Sequence, residues 1–136
     1  MSFEMGLLWP GLTSTYGDVI GLPFTLEGIA FFTEAVFIGI YLYGWGRLTP
    51  PDHLNTLIPI IISGAFGTFC IISVNAWMNA PAGFDLDTDG HDINVRPLAA
   101  MFNSVMPGQS VHMLGAADAV TGFLVPRGFC VRRWNV

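Results

Sequence analysis

Residues 19–45 read VIGLPFTLEGIAFFTEAVFIGIYLYGW. Only Glu27 and Glu34 interrupt this apolar run, which exceeds the roughly 20 residues a helix needs to cross the hydrocarbon core of a bilayer. A buried helix of a soluble protein is usually shorter and carries a polar stripe at helical spacing. Length therefore favours the membrane. Two more stretches extend the pattern: Leu57–Met78 carries no charge, and Leu98–Val125 carries His112 and Asp118 as its ionisable groups. The expected fold is all-α, an integral membrane helical bundle fragment of about three transmembrane helices, near 19–45, 57–78 and 101–125, with a tail at 126–136.

Composition agrees. Hydrophobic residues make up 52% of the chain and charged residues 11%, against about 25% charged in an average soluble domain. Ten acidic side chains face five arginines, no lysine and a formal charge of −5, so a basic groove for nucleic acid is lacking. Cys70 and Cys130 belong to no CxxC or Cys/His cluster and are expected as free thiols. The opening MSFEMGLLWP has neither a positive n-region nor a small-residue cleavage site, so it is not expected to be a signal peptide. It reads as the end of a helix marked by Trp9.

Aromatic residues at the ends of the spans, Tyr41, Tyr43, Trp45 and Trp77, suit the headgroup level. Arg47 follows the first span, and Arg127, Arg132 and Arg133 follow the third. An even number of crossings separates these two groups, so both are expected on the cytoplasmic face. The connection from Asn79 to Pro97, with Asp85, Asp87, Asp89, Asp92 and a single Arg96, falls on the outer face. Pro23, in Gly-Leu-Pro at 21–23, is expected in the first turn of a helix, where a missing amide is harmless. Pro59 should bend the second span, and Pro107 and Pro126 should bracket the third.

Ionisable groups inside a membrane helix cost roughly 2.5–3.5 kcal/mol on insertion scales and default to functional hypotheses. Glu27 and Glu34 are seven residues apart, which puts them about 20° apart in azimuth and roughly 10 Å apart along a helix axis. Two carboxyls on one face can ligate a metal or haem, or relay protons, because burial favours their neutral form. They can also simply hydrogen-bond neighbouring helices. His112, followed by Gly115, Ala116 and Ala117, could ligate haem iron, with small neighbours admitting a flat macrocycle; an intramembrane histidine is as often a hydrogen-bonding partner. His53 and His91, in polar connections, are expected as solvated surface. No GxGxxG, P-loop, HExxH or GxSxG motif occurs, and the methionines are expected to pack.

Several stretches then resemble a known family. Glu27-Gly28, Ala30-Phe31-Phe32, Glu34, Gly39 and the ending Gly44-Trp45-Gly46-Arg47-Leu48 resemble the third transmembrane helix of cytochrome bd-type quinol oxidase subunit I. Val74-Asn75-Ala76-Trp77-Met78-Asn79 with Pro81-Ala82-Gly83-Phe84 resembles the end of its fourth helix and periplasmic exit. Met101-Phe102-Asn103, Val111-His112-Met113 and Val120-Thr121-Gly122-Phe123 resemble its fifth. The order and spacing are those of the family from about Ser2 to Val125, and the arginine-based orientation agrees with the family topology.

The resemblance implies a bacterial plasma-membrane, multi-pass oxidoreductase passing electrons from quinol to dioxygen, with protons drawn from the cytoplasm. It implies His112 as axial ligand of the low-spin haem b, Glu27 beside the high-spin haem b and haem d, and Glu34 on the proton route. Arg47 and Trp77 fall at motif positions with structural roles. The implied partners are subunit II, the remainder of subunit I, lipid and quinol. Departures are Gly46 in place of an aspartate common in the motif, one residue fewer between the glutamates than in many members, Asp118 at a usually apolar position, and the tail from Pro126.

The resemblance also implies that a first-helix histidine, a methionine completing the low-spin haem b and a quinol-binding loop lie outside this chain. The 136-residue chain alone is therefore expected not to oxidise quinol. The alternatives are a non-enzymatic packing subunit or relic, and a haem-free proton pathway through Glu27 and Glu34.

Overall fold

The computed structural model describes residues 2–88, 90 and 92–134. Side-chain environments are described for fewer, so Cys130, Arg127, Arg132 and Arg133 lie outside them, as do Asp89 and His91 altogether. Helix α1 (Ser2–Leu8) leads through Trp9 into the long α2 (Pro10–Tyr43). A short α3 (Pro50–Asn55) precedes α4 (Leu57–Asn79). A two-residue antiparallel ladder, β1 (Asp85–Leu86) with β2 (Asp92–Ile93), sits in the following connection, paired Asp85 to Ile93 and Leu86 to Asp92. Helices α5 (Pro97–Met101) and α6 (Met106–Trp134) complete the order.

Helix α2 is 34 residues long, about 50 Å at 1.5 Å per residue, against a hydrocarbon core of about 30 Å. Hydropathy marks only the part suited to lipid, so the helix starts well before Val19. Pro10, not Pro23, holds the favoured first position, and Pro23 lies buried in the helix interior. Beside it the Thr25 hydroxyl donates to the Gly21 carbonyl at 2.9 Å.

Pro59 likewise falls in the first turn of α4 rather than mid-helix, where its absent amide has no intrahelical acceptor. Between α3 and α4 only Thr56 intervenes, itself with right-handed helical backbone (φ −66°, ψ −19°). Pro107 is the second residue of α6, whereas Pro126 does not end that helix, whose backbone runs on to Trp134.

Two segments among the described residues, Pro10–Tyr43 and Pro50–Asn79, are long and apolar enough to cross a membrane. Helix α6 is not among them: Gln109, Ser110, His112, Asp118 and Thr121 dilute its apolar character. The two apolar helices expose large side chains widely, Phe31, Phe32, Ile58, Ile61 and Ile62 among them, the pattern of helices whose solvent is not water.

Helix α4 is the hub, packing against α2, α3, α5 and α6. Where α2 and α4 meet, glycines permit close approach: a Cβ at Gly67 would stand 3.5 Å from the Ala30 Cβ, and one at Gly64 would stand 3.5 Å from Glu34 Oε1. Between Asn79 and Pro97 the chain folds back on the helix ends. Val19, Ile20, Val74, Trp77 and Ala100 form a buried cluster with Tyr16, Phe24, Phe84 and Val95 against it.

Trp77, expected at a lipid headgroup, is 4% exposed. It meets Tyr16 edge-on at 5.4 Å, lies 5.8 Å from Phe84, and donates its indole N–H to the Ala82 carbonyl at 3.0 Å. Gly83, at φ +84°, makes the fold-back possible, with the Arg96 amide donating to its carbonyl at 2.6 Å.

Candidate functional site

Asn103 sets where α6 begins. Buried between α5 and α6, it donates to the Ala100 carbonyl at 3.1 Å, while its Oδ1 accepts from the Val105 and Met106 amides at 3.0 Å each. One amide side chain thus closes α5 and caps α6. From that start the spacing of α6 brings Gly108, Gln109, His112 and Met113 opposite α4.

They line a cleft of about 670 Å³, walled across by Ile71, Ile72, Val74, Asn75 and Met78 of α4 and by Phe24 of α2. The cleft is mostly apolar, with His112 as its titratable group. Gln109 Oε1 is buried there without a hydrogen-bond partner among the described residues.

A second cleft, about 390 Å³, lies further along α4 and is lined by Glu27, Phe31 and Glu34 of α2, Ser63, Gly64, Gly67, Thr68, Ile71 and Ile72 of α4, and Met113 of α6. The two carboxyls therefore share one face and one cleft. Their surroundings differ: Glu27 is 7% exposed and lies in electrostatic range of the buried Cys70, whereas Glu34 is half-buried over the bare Gly64 backbone. Ile71, Ile72 and Met113 line both clefts, so the carboxyl pair and the imidazole occupy adjoining spaces. Asp118, further along α6, is exposed and lines neither.

Among the described residues no three His, Cys, Asp or Glu side chains come together as a bare metal ion would require. A single imidazole on an apolar cleft suits a prosthetic group that brings its own equatorial ligands.

A family profile described as cytochrome bd terminal oxidase subunit I matches residues 1–132. The chain belongs to this family. The match runs past Val125, where the resemblance read from the sequence ends. The chain is 31% identical over 124 residues to the cytochrome bd-II ubiquinol oxidase subunit 1 of Escherichia coli (strain K12), covering 90% of this chain and 24% of that protein. It is 32% identical over 93 residues to the cytochrome bd ubiquinol oxidase subunit 1 of Bacillus subtilis (strain 168), covering 68% of this chain and 20% of that one.

The solved bd oxidase of Geobacillus thermodenitrificans superposes with a TM-score of 0.73 at 45% identity, over 78% of this chain and 24% of that chain. The chain thus spans a fifth to a quarter of the length of these relatives. The all-α membrane fold and the subunit I family inferred from the helix motifs are both supported by these matches.

Sequence reading missed His53. Rather than solvated, it is half-buried at the far end of α2: its ring stacks on Tyr41 at 4.4 Å, meets Trp45 edge-on at 4.9 Å, and its Nε2–H donates to the Tyr41 carbonyl at 2.8 Å. That carbonyl is one of the last of α2, which the helix itself leaves open. A histidine near two aromatic residues at a span's end was the available signal. Gln109 and Asn75 were missed too, since an uncharged amide carries no mark of its own in sequence.

Proposed function

We propose that this chain forms part of the subunit of a bacterial, membrane-bound cytochrome bd oxidase that passes electrons from a quinol to dioxygen, giving water. Two quinols supply four electrons and dioxygen takes up four protons. In this reading His112 is the axial ligand of the low-spin haem b. Glu27 adjoins the high-spin haem b and haem d, and Glu34 stands on the route by which protons arrive from the cytoplasm. Subunit II and the remainder of subunit I complete the assembly.

The observation that carries the proposal is the adjoining pair of clefts, an imidazole in one and two carboxyls in the other, on a chain of this family. The larger cleft fits a flat macrocycle in three respects: its volume falls in the range of about 300–1,000 Å³ usual for bound cofactors, its walls are apolar, and Gly108 leaves the α6 backbone accessible. Bound haem supplies one-electron redox chemistry.

The chain's own residues contribute position and protons. The imidazole of His112 would have to be neutral to hold the iron. Glu34, with Ser63 and Thr68 beside it, can take up a proton at a carboxylate oxygen and release it toward Glu27 without a permanent charge in lipid. Ile71, Ile72 and Met113 form the apolar wall the two clefts share.

The test is His112→Ala in the assembled oxidase. Loss of the low-spin b-type absorbance with subunit assembly preserved is the expected result, and an unchanged b-type spectrum overturns the assignment. Without the rest of the assembly, the chain is expected not to turn over quinol.

A further inference from the structure

Gln109 and His112 lie three positions apart on α6 and line the same cleft. Side chains so spaced are neighbours on a helix, and helical side chains as a rule lean toward the N-terminus, so a His112 ring can reach the turn that holds Gln109. Gln109 Oε1 is buried and has no hydrogen-bond partner among the described residues. Folds seldom leave a buried acceptor so, and His112 does not reach it in this structure.

Two nearby acceptor and hydroxyl groups are already engaged. Asn75 Oδ1 accepts from Asn79 Nδ2 at 3.2 Å, and the Ser110 hydroxyl donates to Met106 Sδ at 3.3 Å. A neutral imidazole bound to iron through one nitrogen carries N–H on the other, and that N–H needs an acceptor to fix the ring's tautomer and plane.

We infer that Gln109 is the positioning residue of His112, its Oε1 accepting the ring N–H that faces away from haem iron. The inference rests on His112 being the axial ligand. An acceptor on that N–H pushes electron density through the ring to the metal and favours the ferric state. A carboxylate at the same place pushes harder, and an apolar side chain not at all.

The experiment is a redox titration of the low-spin b band in the assembled oxidase carrying Gln109→Leu or Gln109→Glu, with His112→Ala alongside. Gln109→Leu is expected to raise the ferrous-to-ferric ratio at fixed potential about tenfold, ~59 mV for a one-electron couple. Gln109→Glu is expected to lower it by a similar factor. Opposite shifts support the inference, because a packing role alone would not change sign between the two variants.

If Gln109→Leu fails to retain haem, the near-isosteric Gln109→Glu decides alone. Haem retained with an unshifted midpoint in Gln109→Glu overturns the inference. Should His112→Ala keep a normal b band, the ligand assignment itself fails; should it lose the band while the Gln109 variants titrate like the parent, only the role of Gln109 fails.

Discussion

Replacing Gly83 with alanine separates two costs that usually come mixed. Gly83, Gly90 and Gly46 all have left-handed backbone, with φ of +84°, +80° and +76°. At Gly90 and Gly46 a Cβ would meet nothing within 4 Å, but at Gly83 it would stand 2.7 Å from both the Ala100 amide nitrogen and the Arg96 carbonyl oxygen. Left-handed backbone costs a residue with a Cβ about 1–2 kcal/mol. Forcing extra volume into a packed site costs about 1–3 kcal/mol more, and backbone atoms cannot swing aside as a side chain can.

Gly83→Ala is therefore expected to destabilise by about 2–5 kcal/mol, and Gly90→Ala or Gly46→Ala by about 1–2 kcal/mol. Thermal unfolding of the purified oxidase, read by tryptophan fluorescence and by loss of the b-type band, compares the three. Because α5 leads through Asn103 into α6, the b-type band should decline with the fold in Gly83→Ala. Equal destabilisation by all three variants would refute the claim that the loop packs on α5 through a bare backbone.

Asn103→Ala removes the acceptor for two amides at the start of α6 and should cost about 0.5–2 kcal/mol, with Asn103→Asp closer to the parent in the same melting assay. At Gly64, alanine should be tolerated, since its Cβ would make only ordinary contact with Glu34, whereas Gly64→Leu should displace that carboxyl and cost about 1–3 kcal/mol. Quinol-supported oxygen uptake by the assembled oxidase, falling in Gly64→Leu and preserved in Gly64→Ala, checks it.

Much of this arrangement was legible because lipid imposes a coarse rule. Runs of apolar residues too long for a soluble helix located α2 and α4, and helical arithmetic put Glu27 and Glu34 on one face, where they share a cleft. Helix ends were less legible. Hydropathy is blind to helix that continues beyond the hydrocarbon, so a span begun at Val19 left out Thr13, Ser14, Thr15 and Asp18, which belong to α2.

Trp77 and His53 were misplaced for a related reason. A residue at the end of a span can face headgroups, water or protein, and only the chain folding back decides which: Phe84 and Tyr16 enclose Trp77, and Tyr41 and Trp45 enclose His53. The unsatisfied oxygen of Gln109 had no counterpart in sequence at all. It arises only once α4 and α6 are brought together.

The three side chains common to both clefts, Ile71, Ile72 and Met113, are all apolar, so the proposed electron station and the proposed proton station would share a hydrocarbon wall. Electrons can tunnel through a few ångströms of alkane, while hydrated protons need a chain of polar partners that such a barrier lacks. The two currents would then meet only where chemistry consumes both.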